Sequence, residues 1–394
     1  MGLIESADVV IIGGGVIGTS LAYYLSQRQF GRIVLLERET LGSGSTGRSV
    51  ASIDLFSHQP AAIELQVRAY EVFSHFNELF GEECGLVTTG FAVLAGPEQV
   101  LALQKAAALT QAAGVELQLL SPAEFARVEP AAETRDLALV CYVPAGGYAD
   151  PMLTTHAFAS AARRSGVSMQ QGRSVVGLRR EGDRVTGVET TTGPITALIV
   201  VSATGPWSGR LLKTFGLSDL GLYACEHPVI SLQRPADFGP PHLGILDLPH
   251  QTYARPETGH LTLAGSIDPA VGYDPIEPED YQGHITSEYT FWVAERLIQR
   301  YPALEASTLR HGWSGLMTFS PDWQPILGPL PEISGLYCAT GFSGQGFKIS
   351  PAVGDLMAGL IAGEAEAAQL LAPFRPTRFS EGQPLVINEF GALG

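Results

Sequence analysis

A chain of 394 residues is longer than one hydrophobic core supports, so its length predicts two domains. Its 24 basic and 40 acidic residues give a formal net charge of −16 with no basic stripe, which excludes a nucleic-acid binder and reads as a solubility feature. No apolar run approaches the roughly 18 residues of a membrane span, and Cys84, Cys141, Cys225 and Cys338 form no C-x-x-C pair, which favours reduced core thiols over a metal site or redox dithiol.

The start, Met1-Gly2-Leu3-Ile4-Glu5-Ser6, fits the loose myristoylation pattern, but a core strand follows at once and the match is read as incidental. No basic region leads into an apolar one, so the sequence is read without a signal peptide and as a cytoplasmic protein. Ala7 to Ile12 is a β-branched apolar run, as in a buried parallel strand. Gly13 to Gly18 follows, then a helix over Thr19 to Gln27 and a second buried strand over Ile33 to Glu37, completing a βαβ unit. Gly42 to Ser52 is a loop of small residues. Gln59 to Phe80 has helical spacing at Ile63, Val67, Tyr70, Phe73 and Phe76. Pro97 to Ala113 is a helix ending at Gly114. Ser121-Pro122-Ala123-Glu124 is a capping box, and Asp150-Pro151 opens a helix that stops at Gly166. Strands are predicted near Ser174 to Arg179, Arg184 to Thr191 and Ile195 to Ser202, with a hairpin turn at Glu181-Gly182-Asp183. Tyr223 to Gly265 reads as strands broken by Pro and Gly, Pro278 to Tyr301 as a helix, Gly335 to Thr340 as a strand, and Ser350 to Ala362 as a helix closed by Gly363. The Pro-rich last thirty residues are expected to wrap the surface.

Four segments carry chemistry. In Gly13-Gly14-Gly15-Val16-Ile17-Gly18, Gly13 permits a tight turn, Gly15 lets backbone N–H groups reach a pyrophosphate, and Gly18 lets helix and strand pack closely. The helix start offers donors and a positive dipole end, and Glu37 stands where a carboxylate accepts ribose hydroxyls. That motif serves either dinucleotide, NAD or FAD. The next segment, Leu41 through Gly44, Ser45, Thr46, Gly47, Arg48 and Ser49, suits a second wrap around a pyrophosphate and ribityl chain, with Arg48 as a nearby cation, and so points to FAD. Ala203-Thr204-Gly205-Pro206-Trp207 follows a buried strand and lets the chain pass close to a cofactor. Gly341-Phe342-Ser343-Gly344-Gln345-Gly346-Phe347-Lys348 precedes a helix; its donors and Lys348, one of only three lysines, suit the anionic charge of a reduced flavin.

Together these segments resemble the D-amino-acid-oxidase-like (DAO) family of FAD-dependent oxidoreductases, with the β subunits of heterotetrameric sarcosine oxidase and dye-linked L-proline dehydrogenase nearest, then dimethylglycine dehydrogenase. The resemblance covers nearly the whole chain, adding Gly146-Gly147-Tyr148-Ala149-Asp150-Pro151, Trp313-Ser314-Gly315, Ser320-Pro321-Asp322 and Ser350-Pro351-Ala352-Val353-Gly354. It implies an α/β plus α+β fold: a Rossmann-like FAD-binding domain (1–85, 145–220 and 312–394) interleaved with a mixed β-sheet substrate domain (86–144 and 221–311), of the glutathione-reductase-2-like kind. Arg38, Ala51, Ser52, Gly315 and the backbone of Val175 then join the cofactor contacts. The implied reaction is hydride transfer from a small secondary amine or amino acid (sarcosine-, proline-, glycine- or dimethylglycine-like) to flavin N5, giving an imine. Oxidation of a 2-hydroxy acid and a non-catalytic FAD-bearing subunit are the alternatives.

The sequence departs from the family at three places. Relatives with covalent flavin use a cysteine near Trp313 or a histidine after the S-T-x loop; here Gly315 or Ser314 and Arg48 stand there, so FAD is expected to be non-covalent. Thr262 takes the place of an oxygen-activating lysine, which favours a dehydrogenase over an oxidase. Asp54 falls where relatives hold the substrate carboxylate with an arginine, leaving Lys348, Asp54 and Arg255 as the candidate catalytic groups. His58 and His227 lie near the pocket and are read as structural. No metal is expected; FMN is expected only within a multi-subunit complex, and the chain as a homo-oligomer or part of a heteromeric dehydrogenase.

Overall fold

The structure is a computed structural model describing residues 5–385; the myristoylation-like start at Met1–Ile4 and the last nine residues lie outside the described residues. The strands Val9–Ile12 and Ile33–Leu36 are wholly apolar and buried along their length. They sit centrally in a six-stranded sheet ordered 326–329, 336–340, 199–202, 9–12, 33–36, 168–170, parallel except at its first edge. Strands buried on both faces need cover on both faces, and Val10, Ile12, Val34 and Leu36 pack with Val185, Val188 and Ile195 of a second sheet. Val16–Gln27 packs against Pro151–Arg164 and Ser350–Ala362 on the other face.

The predicted hairpin forms: 175–181 pairs antiparallel with 184–190, within a four-stranded sheet that also holds 195–196 and 5–6. The run read as one strand over Ile195 to Ser202 is split between two sheets. A third, mixed sheet of nine strands contains 91–95, 118–120 and 139–143 from the first half of the chain and 223–233, 244–247, 252–257, 261–266, 274–275 and 308–319 from the second. The strand Thr308–Phe319 pairs with Tyr223–Gln233 along nearly its whole length and runs past residue 312, where the sequence reading placed a domain boundary.

Both capping expectations are met. Ser121 and Glu124 form the reciprocal box, and the Asp150 carboxylate accepts from the Met152 and Leu153 amides at 2.8 Å. Two helices are shorter than their periodicity predicted. Gln59 to Phe80 breaks at His75 into Pro60–Ser74 and Phe76–Phe80. The helix expected over Pro278 to Tyr301 begins only at Ser287, because Gly283 turns with φ +75° and Thr286 caps the first turn by accepting from the Tyr289 amide. All four cysteines are buried free thiols.

Ser320, Asp322 and Gln324 form a buried tether rather than a site. The Asp322 carboxylate binds Arg378 at 2.7 and 2.8 Å and accepts from the Leu385 amide. Arg378 is fully buried, so the C-terminal segment is anchored inside the protein at this point instead of only covering its surface.

Candidate functional site

One cavity of about 600 Å³ runs from the glycine turn after Val9–Ile12 to the nine-stranded sheet. Gly13 (φ +112°) and Gly18 explain the closeness of its first wall. A Cβ on Gly13 would lie 2.3 Å from the Ala203 carbonyl oxygen, and one on Gly18 would lie 2.0 Å from that of Gly13. Gly18 thus sets the helix against the strand and does not itself line the cavity, whereas Gly13, Gly15, Val16 and Ile17 do. Gly15 brings no side chain of its own to cap the helix, so the positive end is only partly capped where Gly15, Val16 and Ile17 line the cavity. The Glu37 carboxylate also lines it, held by the amides of Gly14 and Glu39 at 2.7 and 2.8 Å.

The loop from Gly42 folds back under this turn: Gly42 donates to the Gly14 carbonyl, and Thr46 Oγ1 accepts from the Val16 amide at 3.1 Å. Gly44, Ser45, Thr46, Arg48, Ser49, Ala51 and Ser52 all line the cavity. Arg48 donates to the Ser43 and Gly44 carbonyls, fixing the loop from inside, and its own carbonyl accepts from the Trp313 indole. Val175, Ala203, Thr204, Gly205, Trp207, Gly315, Phe342, Ser343, Gly344, Gly346, Phe347 and Lys348 also line the cavity. Arg38 lies 3.9 Å over the Trp207 ring, and among the described residues Trp207 Nε1 is a buried donor without a partner. Close backbone, a helix start at the wall, a carboxylate that lines the cavity and an orphaned indole donor fit a dinucleotide with a flavin end. Gly341 and Gln345 do not line the cavity. Gly341 makes the turn at φ +66°, and the Gln345 side chain is buried beneath the loop.

The far end of the cavity is walled by Phe91, Val229, Leu246, Tyr253 and His227 from the nine-stranded sheet. His227 Nδ1 donates to the Gly272 carbonyl at 3.0 Å, which leaves Nε2 to accept from the Tyr253 hydroxyl at 3.1 Å. Burial lowers the His227 pKa to about 4 and holds that of Tyr253 well above the usual phenol value, so both are neutral over the ordinary pH range. Gly265 makes the space for the phenol: a Cβ there would sit 2.4 Å from its oxygen.

Lys348 and Asp54, 294 residues apart, meet on the cavity wall. Lys348 Nζ donates to both Asp54 oxygens at 2.8 and 2.7 Å, with side chains 7% and 13% exposed. Arg255 is not with them. Its guanidinium donates to the Val50 and Pro256 carbonyls and to Glu257, stacks 4.1 Å over Tyr148, and does not line the cavity; the expectation of a substrate-facing cation there is corrected. Thr262 also faces elsewhere. It is fully buried, donates to His242 Nε2 at 2.8 Å and accepts from Arg234, so it carries no argument for a dehydrogenase over an oxidase. His227 is on the wall as its position suggested, but Tyr253, Phe91, Val229 and Leu246 were missed. Only strand alternation marked them, and alternation does not say which face looks onto the cavity.

Known proteins share this arrangement. Residues 8–360 match the DAO family, described as FAD dependent oxidoreductase. Mitochondrial sarcosine dehydrogenase of Mus musculus is 28% identical over 371 residues, covering 90% of this chain and 39% of its own length. Glycine oxidase of Geobacillus kaustophilus (strain HTA426) is 27% identical over 379 residues, covering 94% of this chain and 97% of its own. The crystal structure of L-proline dehydrogenase from P. horikoshii matches with a TM-score of 0.89 at 27% identity, covering 97% of this chain and 100% of that one. The chain therefore spans about two fifths of the length of the sarcosine dehydrogenases it matches, and nearly all of the glycine oxidase. With the match running through both the dinucleotide cradle and the sheet that closes the cavity, the chain belongs to the DAO family of FAD-dependent oxidoreductases.

Proposed function

We propose that this chain binds FAD non-covalently and oxidises the C–N bond of a small amine or amino acid. The observation that carries the reading is the single cavity joining a dinucleotide cradle to an apolar chamber on the nine-stranded sheet. Relatives named for sarcosine, glycine and proline support the substrate size and the bond oxidised. Support for non-covalent binding comes from the wall, in which none of the four cysteines takes part, and from the resemblance, by which Gly315 or Ser314 and Arg48 stand at the two attachment places. The division into an FAD-binding unit (1–85, 145–220, 312–394) and a substrate unit (86–144, 221–311) is proposed with it.

FAD, when bound, supplies a two-electron acceptor that takes hydride from the carbon beside the amine nitrogen, leaving an imine that water hydrolyses. The residues of the chain prepare the substrate for that loss. Phe91, Val229 and Leu246 exclude water, which favours the neutral amine that can release hydride. Tyr253 donates its O–H hydrogen bond to His227, which leaves its oxygen as an acceptor on the chamber wall. The start of the helix Ser350–Ala362, without a side-chain cap, follows the glycine loop with its positive dipole end, which would favour negative charge on a reduced flavin held there. Anaerobic titration of the purified flavoprotein with amines, amino acids and 2-hydroxy acids tests the reading. Bleaching by the nitrogen compounds is expected; bleaching by hydroxy acids alone refutes it.

A further inference from the structure

Among the described residues, the chamber contains a charge pair and no free cation. Lys348 is bound by both oxygens of Asp54. The sheet wall, Phe91, Val229, Leu246, Tyr253 and His227, contributes no charge. Arg48 is held by two loop carbonyls, and Arg255 lies outside the cavity. We propose that Asp54 is the specificity-determining residue of this chamber and that it selects an amine with no carboxylate beside the reacting C–N bond. The assignment rests on the C–N oxidation proposed above and names its substrate class.

The physical reason is what each ligand does to the pair. A substrate carboxylate that takes the third N–H of Lys348 stands beside the Asp54 anion on a cation whose charge is already matched, and one that displaces Asp54 leaves a largely buried carboxylate without its cation; both are unfavourable. An amine leaves the pair intact. A carboxylate has about four lone-pair sites; Lys348 takes one on each oxygen and the Phe56 amide a second on Oδ1 at 3.3 Å, so Asp54 Oδ2 can still accept an N–H from the substrate. Lys348 cancels the charge of Asp54, so the pair orients the nitrogen without holding it as ammonium, and the nitrogen stays in the neutral form that reacts.

Two probe pairs that differ only by the carboxylate test this: pyrrolidine against proline, and dimethylamine against sarcosine. In each, the carbon beside nitrogen gives up hydride to the flavin, the nitrogen lone pair forms the C=N bond, and the N–H proton leaves, so anaerobic bleaching of the holoprotein reports one turnover. The wild-type chain is expected to be bleached at least about tenfold faster by the amine of each pair. Asp54→Asn keeps the shape, frees Lys348, and is expected to move the ratio at least about tenfold toward the amino acid. Equal or faster bleaching of wild type by proline and sarcosine overturns the assignment of Asp54 while leaving C–N oxidation standing, and so does a ratio unchanged in Asp54→Asn. Should Asp54→Asn lose its flavin, Asp54→Ser and the wild-type ratio decide in the same way. Failure of all four nitrogen compounds to bleach the flavin overturns the C–N reading and this assignment with it.

Discussion

Acid titration of His227 tests the chamber wall directly. The side chain is buried, and desolvation lowers its pKa from the ordinary 6.5 to about 4, although the bond to the Gly272 carbonyl opposes that shift. An unfolded chain takes up this proton below about pH 6.5, whereas the folded one resists until about pH 4. Between those values the unfolded state binds more protons, so the contribution to stability falls as the pH falls. From pH 6.5 to 4.5 one such histidine removes about 2 kcal/mol, with a limiting slope of about 1.4 kcal/mol per pH unit. His242, lowered to about 3 by burial, adds a second term of similar size. The assay is denaturant unfolding of the wild type and His227→Gln across this window. The variant is expected to start less stable and to lose about one proton's worth of slope; acidic groups such as Asp247 and Asp322 are common to both proteins and cancel in the comparison. Identical slopes, or an imidazole signal titrating near pH 6.5, would refute the buried neutral Tyr253–His227 contact.

Gly18→Ala places a methyl group 2.0 Å from the Gly13 carbonyl oxygen and is expected to abolish flavin retention, read as loss of visible absorbance after purification. Asp322→Asn leaves Arg378 charged and buried with a neutral partner; thermal denaturation is expected to show about 3–5 kcal/mol of lost stability, with the flavin spectrum of the surviving folded protein unchanged. Gly265→Ala pushes the Tyr253 phenol away from His227 and is expected to slow substrate-driven bleaching while FAD stays bound, checked by anaerobic reduction and flavin stoichiometry.

The cofactor end was legible in the sequence because its constraints are local. Gly13, Gly15 and Gly18 do their work within one strand-turn-helix, and Asp150 and Ser121 cap the helices they begin. The chamber was less legible because its constraints depend on register. Along a strand, a shift of one residue turns a side chain to the opposite face. Thr262, assigned to the cavity by position in the chain, therefore belongs to the His242–Arg234 contact behind the sheet, and Tyr253 emerged only once 252–257 was paired with 261–266. Asp54 and Lys348 were each singled out, but as separate substrate ligands. Nothing short of the fold brings residues that far apart in the chain to 2.7 Å. The predicted helix over Pro278 to Tyr301 overran at its start for a local reason: the backbone turns at Gly283, and the helix begins at Ser287.

The distribution of charge on the cavity wall supports the same division. In a chain of net charge −16, the wall carries five cations, Arg38, Arg48, Arg173, Arg210 and Lys348, against Glu37, Glu39, Asp54 and Glu279. Removing the Asp54–Lys348 pair leaves four arginines and three glutamates, none of them from the sheet wall of the chamber. The arginines are fixed by their neighbours: Arg38 on Trp207, Arg48 on loop carbonyls, Arg173 on Glu5 and the Gly193 carbonyl, and Arg210 on Glu279. Held side chains give a field already oriented before a ligand arrives, and here that field lies along the cradle that would hold a dinucleotide. The chamber adds only a self-cancelling pair to apolar and neutral walls. A second anion brought there meets no net positive charge, whereas a small uncharged amine meets the apolar surface and the acceptor oxygens of Asp54 and Tyr253.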